Sequence, residues 1–341
     1  MTGHPALIEE IRKEIAAAGG RIPFCRFMEL ALYHPQFGYY TTGQNRIGKA
    51  GDYFTSVSTG PVFGRILARQ FRRWGVTDVW EFGGHRDQLR ADILAAAPEL
   101  NYRVIEVGDQ LPDQMTGCVF SNEFLDALPV HRLCGDREVY VETTQPSLQP
   151  SPLNDKGEGV SSPPLFGGED QGEGAVVFRE TLGPLSDPRL PRLPDGYRSE
   201  INLRALDWLT DISRRLAASA YILTMDYGFD RQEYFAPHHK DGHLQCYYRH
   251  TKSGNPYEHI GEQDITAHVE FTSLIEHGRQ LGLEPVLFTD QAHFLLEAGQ
   301  EVIQEIIERA AGQLSRERNA LHQLLHSTMG RAFKVLVQQR Q

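Results

Sequence analysis

Residues 79–97 read Val-Trp-Glu-Phe-Gly-Gly-His-Arg-Asp-Gln-Leu-Arg-Ala-Asp-Ile-Leu-Ala-Ala-Ala. Val79 to Gly83 is a short apolar run closed by glycine, and Leu89 to Ala97 is rich in good helix formers. Strand, turn and helix in that order form the first unit of an α/β sheet. Tyr102–Val107 and Cys118–Ser121 are two more buried-type strands. The alternation predicts an α/β fold whose mostly parallel sheet carries helices on both faces.

Outward from that unit, the pattern continues in both directions. Leu7, Ile11 and Ile15 recur at helical steps within Ala6–Ala18, which Gly19-Gly20 ends. Phe24–Leu32 and Gly60–Trp74 are the next helices, so residues 1–75 read as an N-terminal helical and loop segment, with 76–341 as the sheet domain. Downstream, helices are predicted over Asn202–Ala218, Phe271–Leu281 and Gln300–Leu325, the last long and charged. Ala220–Tyr227, Leu283–Phe288 and Ala332–Val337 read as strands. Glu138–Glu142 and Ala175–Glu180 pair around residues 143–174, whose Pro, Ser and Gly cannot bury enough surface to offset ordering entropy. That segment is expected to be a mobile insertion.

The 341 residues, 40% of them hydrophobic and 23% charged, suit a soluble globular chain. A net charge of −11 argues against nucleic acid or an anionic membrane as partner and is compatible with a cationic substrate. The N-terminus has no apolar signal region, and no window approaches the roughly 18 apolar residues of a membrane span. Cys25, Cys118, Cys134 and Cys246 have no zinc-type spacing, so reduced thiols and a cytoplasmic location are expected. His238, His239, His243, His250, His259 and His268 crowd together without an HExxH pair, and no metal is expected.

Chemistry-bearing residues gather at strand ends, where open α/β sheets place ligands. Glu81, Gly83 and Gly84 line the first turn, and a glycine there lets backbone approach a bound nucleotide. Glu106 ends the second strand, placed to accept hydrogen bonds from ribose hydroxyls. Asn122-Glu123 and Asp126 end the next strand and offer carboxylates to a cation. Only 12 residues, Gly108 to Val119, separate Val107 from Phe120, too few for a helix and a further parallel strand. Gly51-Asp52-Tyr53-Phe54-Thr55-Ser56 follows neither a helical nor a strand period, as in a loop-built site.

That loop block, with Pro23-Phe24 and Gly38-Tyr39-Tyr40 before it, resembles the N-terminal signature of the MidA-like family of methyltransferases. Asn122 to Val130 (NEFLDALPV) and Gly261 to Phe271 (GEQDITAHVEF) resemble its second and third signatures, in the family's order. The resemblance implies a class I methyltransferase-like, Rossmann-like sheet, here with a shortened edge because the unit after Glu106 is missing. It implies S-adenosylmethionine as cofactor, held by Gly51, Asp52, Thr55, Ser56, Glu81, Gly83, Gly84, Glu106 and Asn122. It implies methylation of protein arginine, with Glu123 and then Asp126 as the catalytic carboxylates and Glu200, Asp226 and Tyr227 beside the substrate. The implied partner is a protein such as a respiratory complex I subunit, and a homodimer is left open. The family's G-x-G-x-G turn is altered: Gly83 alone stands in register, with His85 and Asp87 in the other two places. Two functions therefore stand side by side, a protein arginine methyltransferase and a non-catalytic assembly factor with a degenerate cofactor site.

Overall fold

The computed structural model describes residues 2–42, 56–84, 87–144, 177–309, 315–326 and 328–341. The chain opens with helix α1 (Pro5–Ala17), strand β1 (Arg21–Pro23) and helix α2 (Phe24–Tyr33). Helix α3 (Pro61–Arg73), strand β2 (Asp78–Phe82), helix α4 (Gln88–Ala96) and strands β3 (Asn101–Ile105) and β4 (Cys118–Asn122) follow. Then come β5 (His131–Cys134), β6 (Arg137–Thr144), β7 (Val177–Gly183) and β8 (Arg198–Ile201). Helix α5 (Leu203–Arg215) and strand β9 (Tyr221–Phe229) lead to the helical turn α6 (Arg231–Tyr234). Strands β10 (Leu244–Tyr248), β11 (Thr251–Ser253), β12 (Asp264–Ala267) and β13 (Val269–Glu270) are short. The chain closes with α7 (Phe271–Gln280), β14 (Leu283–Asp290), α8 (Gln291–Ala298), α9 (Gln300–Arg309), α10 (Arg316–His326), α11 (Thr328–Ala332) and β15 (Phe333–Arg340).

The largest sheet has the order β14-β15-β9-β4-β2-β3, with β13 alongside the end of β9. Strands β3, β2, β4 and β9 pair in parallel, while β15 is antiparallel to both β9 and β14. Strand β3 is the edge, and the segment from Glu106 to Gly117 returns directly to β4. Alternate residues bury on opposite faces. Val79, Phe120, Leu223, Val335 and Val337 pack with α3, α4, α8 and α10, whereas Trp80, Val119, Ile222 and Leu336 pack with α5 and α7. Strands buried on both sides need continuous apolar runs, which is why β4 and β9 read so plainly in sequence. Each fully buried large side chain such as Phe120 contributes about 2–3 kcal/mol.

A mostly parallel arrangement describes this layer alone, and the fold is a mixed α/β structure. A second sheet, β1-β6-β5-β8 with β7 on β6, and a third, β11-β10-β12, are antiparallel throughout. The cause is connection length. Cys134 and Arg137 are joined through Gly135-Asp136, a span that closes a hairpin but not a parallel crossover of about a dozen residues. Helices α1 and α2 pack Leu7, Ile11, Phe27 and Met28 against this second sheet. The N-terminal segment is thereby tied to β6 through β1.

The single helix expected over 300–325 is instead α9 and α10, with residues 310–314 outside the description. Arg65 on α3 donates to Glu305 at 2.6 Å and to Glu317 at 2.8 Å. On one straight helix those carboxylates would stand about 18 Å apart, at 1.5 Å per residue. One guanidinium reaches both only because the chain folds back. Of the insertion expected over 143–174, only residues 143 and 144 are described, as the end of β6.

Candidate functional site

The first turn of the sheet begins at Gly83, whose φ of +75° is costly for any residue with a Cβ. A Cβ there would also meet Phe124 Cβ at 2.9 Å, and one on Gly84 would meet Val104 at 2.7 Å and the Glu81 carboxyl at 2.9 Å. Backbone and neighbours thus close in on this turn from β3 and β4. Asp87 takes the left-handed conformation at φ 52°, one that aspartate tolerates better than most residues, and its carboxylate faces Arg90 at 3.4 Å. His85 and Arg86 lie outside the described residues, as do Gly51, Asp52 and Thr55, while Ser56 opens the short turn leading to α3. Burial pushes the Glu81 carboxyl up to about 7, with Tyr102 acting against the shift and the charges of Asp87 and Glu106 adding to it. Glu106 is exposed at the tip of β3, and its backbone N–H donates to Asp109 Oδ2 at 2.9 Å.

The turn after β4 is the chemical centre. Glu123 stands at φ 53° and donates its N–H to the Met225 carbonyl of β9 at 3.0 Å. Asp226, fully buried, accepts the N–H groups of Phe124, Leu125 and Asp126 on Oδ2 at 3.1, 2.8 and 3.3 Å, and that of Tyr227 on Oδ1 at 2.8 Å. Both Asp226 oxygens are therefore committed to backbone. Asp226, expected beside the substrate, turns its carboxylate to the backbone of the turn and holds it. Burial outweighs those four donors and lifts the Asp226 carboxyl to about 7. Asp126 is also raised above the ordinary carboxylate range, by burial first and then by the charges of Asp226, Glu123 and Asp264.

Three sequence blocks far apart in the chain converge on this turn. Tyr33 Oη donates to the Ala127 carbonyl at 3.1 Å, and Tyr40 Oη to Asp264 Oδ1 at 2.7 Å. The Ala267 N–H donates to the Asp126 carbonyl at 2.9 Å, fastening β12 to the turn. Tyr227 feels the Glu123 and Asp126 charges, which together with burial raise its phenol. The outcome is a cluster of carboxylates among tyrosines, with Asp126 and Asp264 buried and Glu123 half-buried. Asp264, Tyr33 and Tyr40 were not singled out from sequence, although Asp264 and Tyr40 sit inside the quoted signatures. Tyr247, opposite Asp264 in the β10–β12 register, carried no sequence signal at all.

Glu200 does not join this group. It is buried, accepts from Arg132 Nε at 3.3 Å and takes the His243 N–H on its other oxygen at 2.6 Å. Arg132 also pairs with Glu180 and lies over the Phe24 ring. Glu200, expected beside the substrate, has its charge neutralised by Arg132 inside the second sheet. Among the histidines, Glu233, His238 and His239 bring one carboxylate oxygen and two ring nitrogens within 4.8 Å of one another. They form an exposed group held by His238 Nε2 and Glu233 Oε1 at 2.8 Å.

The residues fit a S-adenosylmethionine-type ligand in one respect that the structure itself exposes. Asn122 Oδ1 is buried and unpaired among the described residues, while its Nδ2 donates to Glu123 Oε1 at 3.1 Å. An orphaned amide oxygen, with the Glu106 carboxylate exposed after β3 two strands away, calls for a ligand rich in donors such as an ammonium and ribose hydroxyls.

A family model described as "Putative S-adenosyl-L-methionine-dependent methyltransferase" matches residues 105–289, more than half of the chain. A Burkholderia thailandensis protein, solved bound to S-adenosyl-homocysteine, is 30% identical with a TM-score of 0.79; the match covers 98% of this chain and 92% of that one. The Caenorhabditis elegans protein named protein arginine methyltransferase NDUFAF7 homolog, mitochondrial, is 24% identical over 96% of this chain and 84% of its own length. The Drosophila melanogaster protein of the same name is 26% identical over 39% of this chain and 43% of its own length. These relatives are named mitochondrial, which overturns the cytoplasmic location expected from cysteine usage; reduced thiols do not separate the two compartments. No described helix is long and apolar enough to cross a membrane. With three signatures folded onto one acidic turn and these matches across the chain, the protein belongs to the MidA-like family of S-adenosylmethionine-dependent methyltransferases.

Proposed function

We propose that this protein methylates an arginine side chain of a partner protein, with Glu123 as the carboxylate that binds and orients the guanidinium. The observation that carries the reading is the concentration of Glu123, Asp126 and Asp264 in a tyrosine-walled site one strand from the Gly83 turn. Carboxylates crowded in and beside a buried site repel one another and are relieved by a permanent cation that offers several N–H donors. A bidentate grip by Glu123 fixes one terminal nitrogen in place and draws positive charge toward the other, leaving a more available lone pair for in-line attack. When bound, the cofactor supplies an electrophilic sulfonium methyl. Gly83, Gly84, Glu81, Glu106 and Asn122, with Gly51, Asp52, Thr55 and Ser56 from the loop block, are the proposed cofactor contacts. Tyr227 walls the reacting centre, and Asp126 supplements Glu123. Residues 1–75 are proposed to cover the site carried by 76–341. The relatives' printed names support a protein arginine substrate, and the family resemblance puts a respiratory complex I subunit first among partners.

A second reading, a non-catalytic assembly factor, is favoured by one observation: Asp87, in place of a family glycine, sets a carboxylate close enough to Glu81 and Glu106 to act on both. Calorimetric titration with S-adenosylhomocysteine separates the two. Micromolar binding, with mass-spectrometric methylation of an arginine peptide, is expected. No heat at millimolar ligand would leave the assembly factor standing.

A further inference from the structure

We propose that Glu233, His238 and His239 form a binding site for a zinc-type divalent cation, which clips together the turn that follows β9. The proposal goes beyond the methyl-transfer reading and does not depend on it.

The donor set carries the chemistry. One carboxylate oxygen and two imidazole nitrogens are a set that zinc takes in three-ligand protein sites, with water completing the tetrahedron. The nitrogens also select the cation, because imidazole suits zinc, copper and nickel, whereas magnesium and calcium prefer oxygen. Ligand atoms about 2.0–2.1 Å from a tetrahedral zinc stand about 3.3 Å from one another. Glu233 Oε1 lies 2.8 Å from His238 Nε2 and 3.7 Å from His239 Nε2, on either side of that value. One donor atom from each of the three residues falls within 4.8 Å of the others. Small rotations of exposed side chains close the difference. The fourth position opens to solvent, since the Glu233 and His238 side chains keep 48% and 61% of their surface exposed.

The backbone presents these side chains on a fixed path. Glu233 lies on the helical turn α6, capped by Asp230 Oδ1, which accepts the Glu233 N–H at 2.9 Å. The Ala236 N–H returns to the Glu233 carbonyl at 3.1 Å, and Pro237 starts a 3-10 turn that carries both histidines. The His239 N–H closes on the Ala236 carbonyl at 2.8 Å, and the Gly242 N–H on the His239 carbonyl at 3.0 Å. The half-buried His239 ring packs 4.9 Å from that of Phe229 at the end of β9. Arg231 holds Glu276 at 2.7 and 2.9 Å, which anchors the same turn on α7. A path set before binding lowers the ordering cost that a metal must overcome. The expectation of no metal rested on the missing HExxH spacing, in which one helix aligns both histidines. Here two short turns gather the same donor types.

The test uses the full chain, stripped with EDTA and dialysed into a non-chelating buffer at pH 7.5. Calorimetric titration with zinc chloride should show one equivalent bound with micromolar affinity, and magnesium chloride should give no heat. His238→Gln and Glu233→Gln alter exposed side chains, so circular dichroism should match the parent. Each should weaken zinc binding about tenfold or more, the loss of one of three ligands. Zinc should raise the thermal midpoint of the parent and leave that of both variants unmoved. The paired substitutions His322→Gln and His326→Gln, which remove the exposed histidine pair on α10, should leave zinc affinity as it was. No heat with zinc at millimolar concentration overturns the proposal. So does parent-like affinity in both single variants, or a loss confined to the α10 variant. None of these outcomes bears on arginine binding, so the methyl-transfer reading stands or falls separately.

Discussion

Asp226 Oδ2 accepts the Leu125 backbone N–H at 2.8 Å, joining residues 101 apart in the chain. Through this bond and its neighbours to Phe124 and Asp126, strand β9 dictates the path of the turn that carries Glu123. The acidic centre is therefore built on one carboxylate, Asp226, that holds the turn carrying Glu123 and Asp126.

Asp226→Ala removes the acceptor for several buried N–H groups and should cost about 2–4 kcal/mol of stability. Urea denaturation followed by circular dichroism measures this. Methyl transfer should fall with it, since Glu123 loses its fixed position. A variant as stable as the parent would mean that the turn does not depend on Asp226.

Glu123→Gln keeps the shape of the side chain and the backbone bond to Met225 but removes the charge. Methyl transfer to an arginine peptide should drop at least a hundredfold, while S-adenosylhomocysteine affinity stays within about threefold. A loss confined to cofactor affinity would reassign Glu123 from the substrate to the cofactor.

Gly83→Ala places a Cβ 2.9 Å from that of Phe124 on a residue at φ +75°. The variant should lose about 1–3 kcal/mol and bind S-adenosylhomocysteine at least tenfold more weakly, because the turn must shift. Calorimetry reads the affinity, and an unchanged value would separate this turn from the cofactor.

Two buried groups should give opposite pH signatures. Glu81 is raised from 4.5 to about 7, so the folded protein binds the extra proton between those values. Its contribution is present below pH 4.5 and lost as pH rises through 7. Glu81→Gln should thus gain on the parent at pH 8, by on the order of 3 kcal/mol, and not at pH 4. His268 is lowered from 6.5 to about 3, so the unfolded chain takes up the proton first as pH falls. His268→Phe should gain on the parent between pH 6 and pH 4, by up to about 1.4 kcal/mol per unit. Denaturation midpoints at pH 4, 6 and 8 check both, and parallel profiles for parent and variant would refute the burial argument for that residue.

Most elements of the central sheet were legible because strands buried on both faces demand largely apolar residues, as in Cys118–Phe120 and, around the buried Glu81, in Val79–Phe82. Helix α5 was legible too, and its N-cap is Asn202, which accepts the Ala205 N–H at 2.9 Å. Strands β10, β12 and β13 were not. Strands β12 and β13 are short, and the polar and aromatic residues of β10 (Leu244–Tyr248) do not form an apolar run; all three acquire their state from partners. Glu123 and Asp126 were singled out from type and position at a strand end; Glu200 and Asp226 look equally available in sequence but are committed to Arg132 and to backbone N–H groups.

The sequence by itself determined the alternation of strands and helices, the glycine at the first turn and the acidic strand tip, since side-chain period, φ tolerance and charge are properties of neighbouring residues. Only the tertiary structure decided that Asp226 turns to the backbone of the Glu123 turn, that Asp126 and Asp264 are buried, and that Tyr40 and Tyr247 come to lie beside Asp264. Those outcomes depend on hydrogen bonds between residues that meet solely when three sheets pack. No local pattern of amino acids encodes which of two identical carboxyl groups will find a backbone partner.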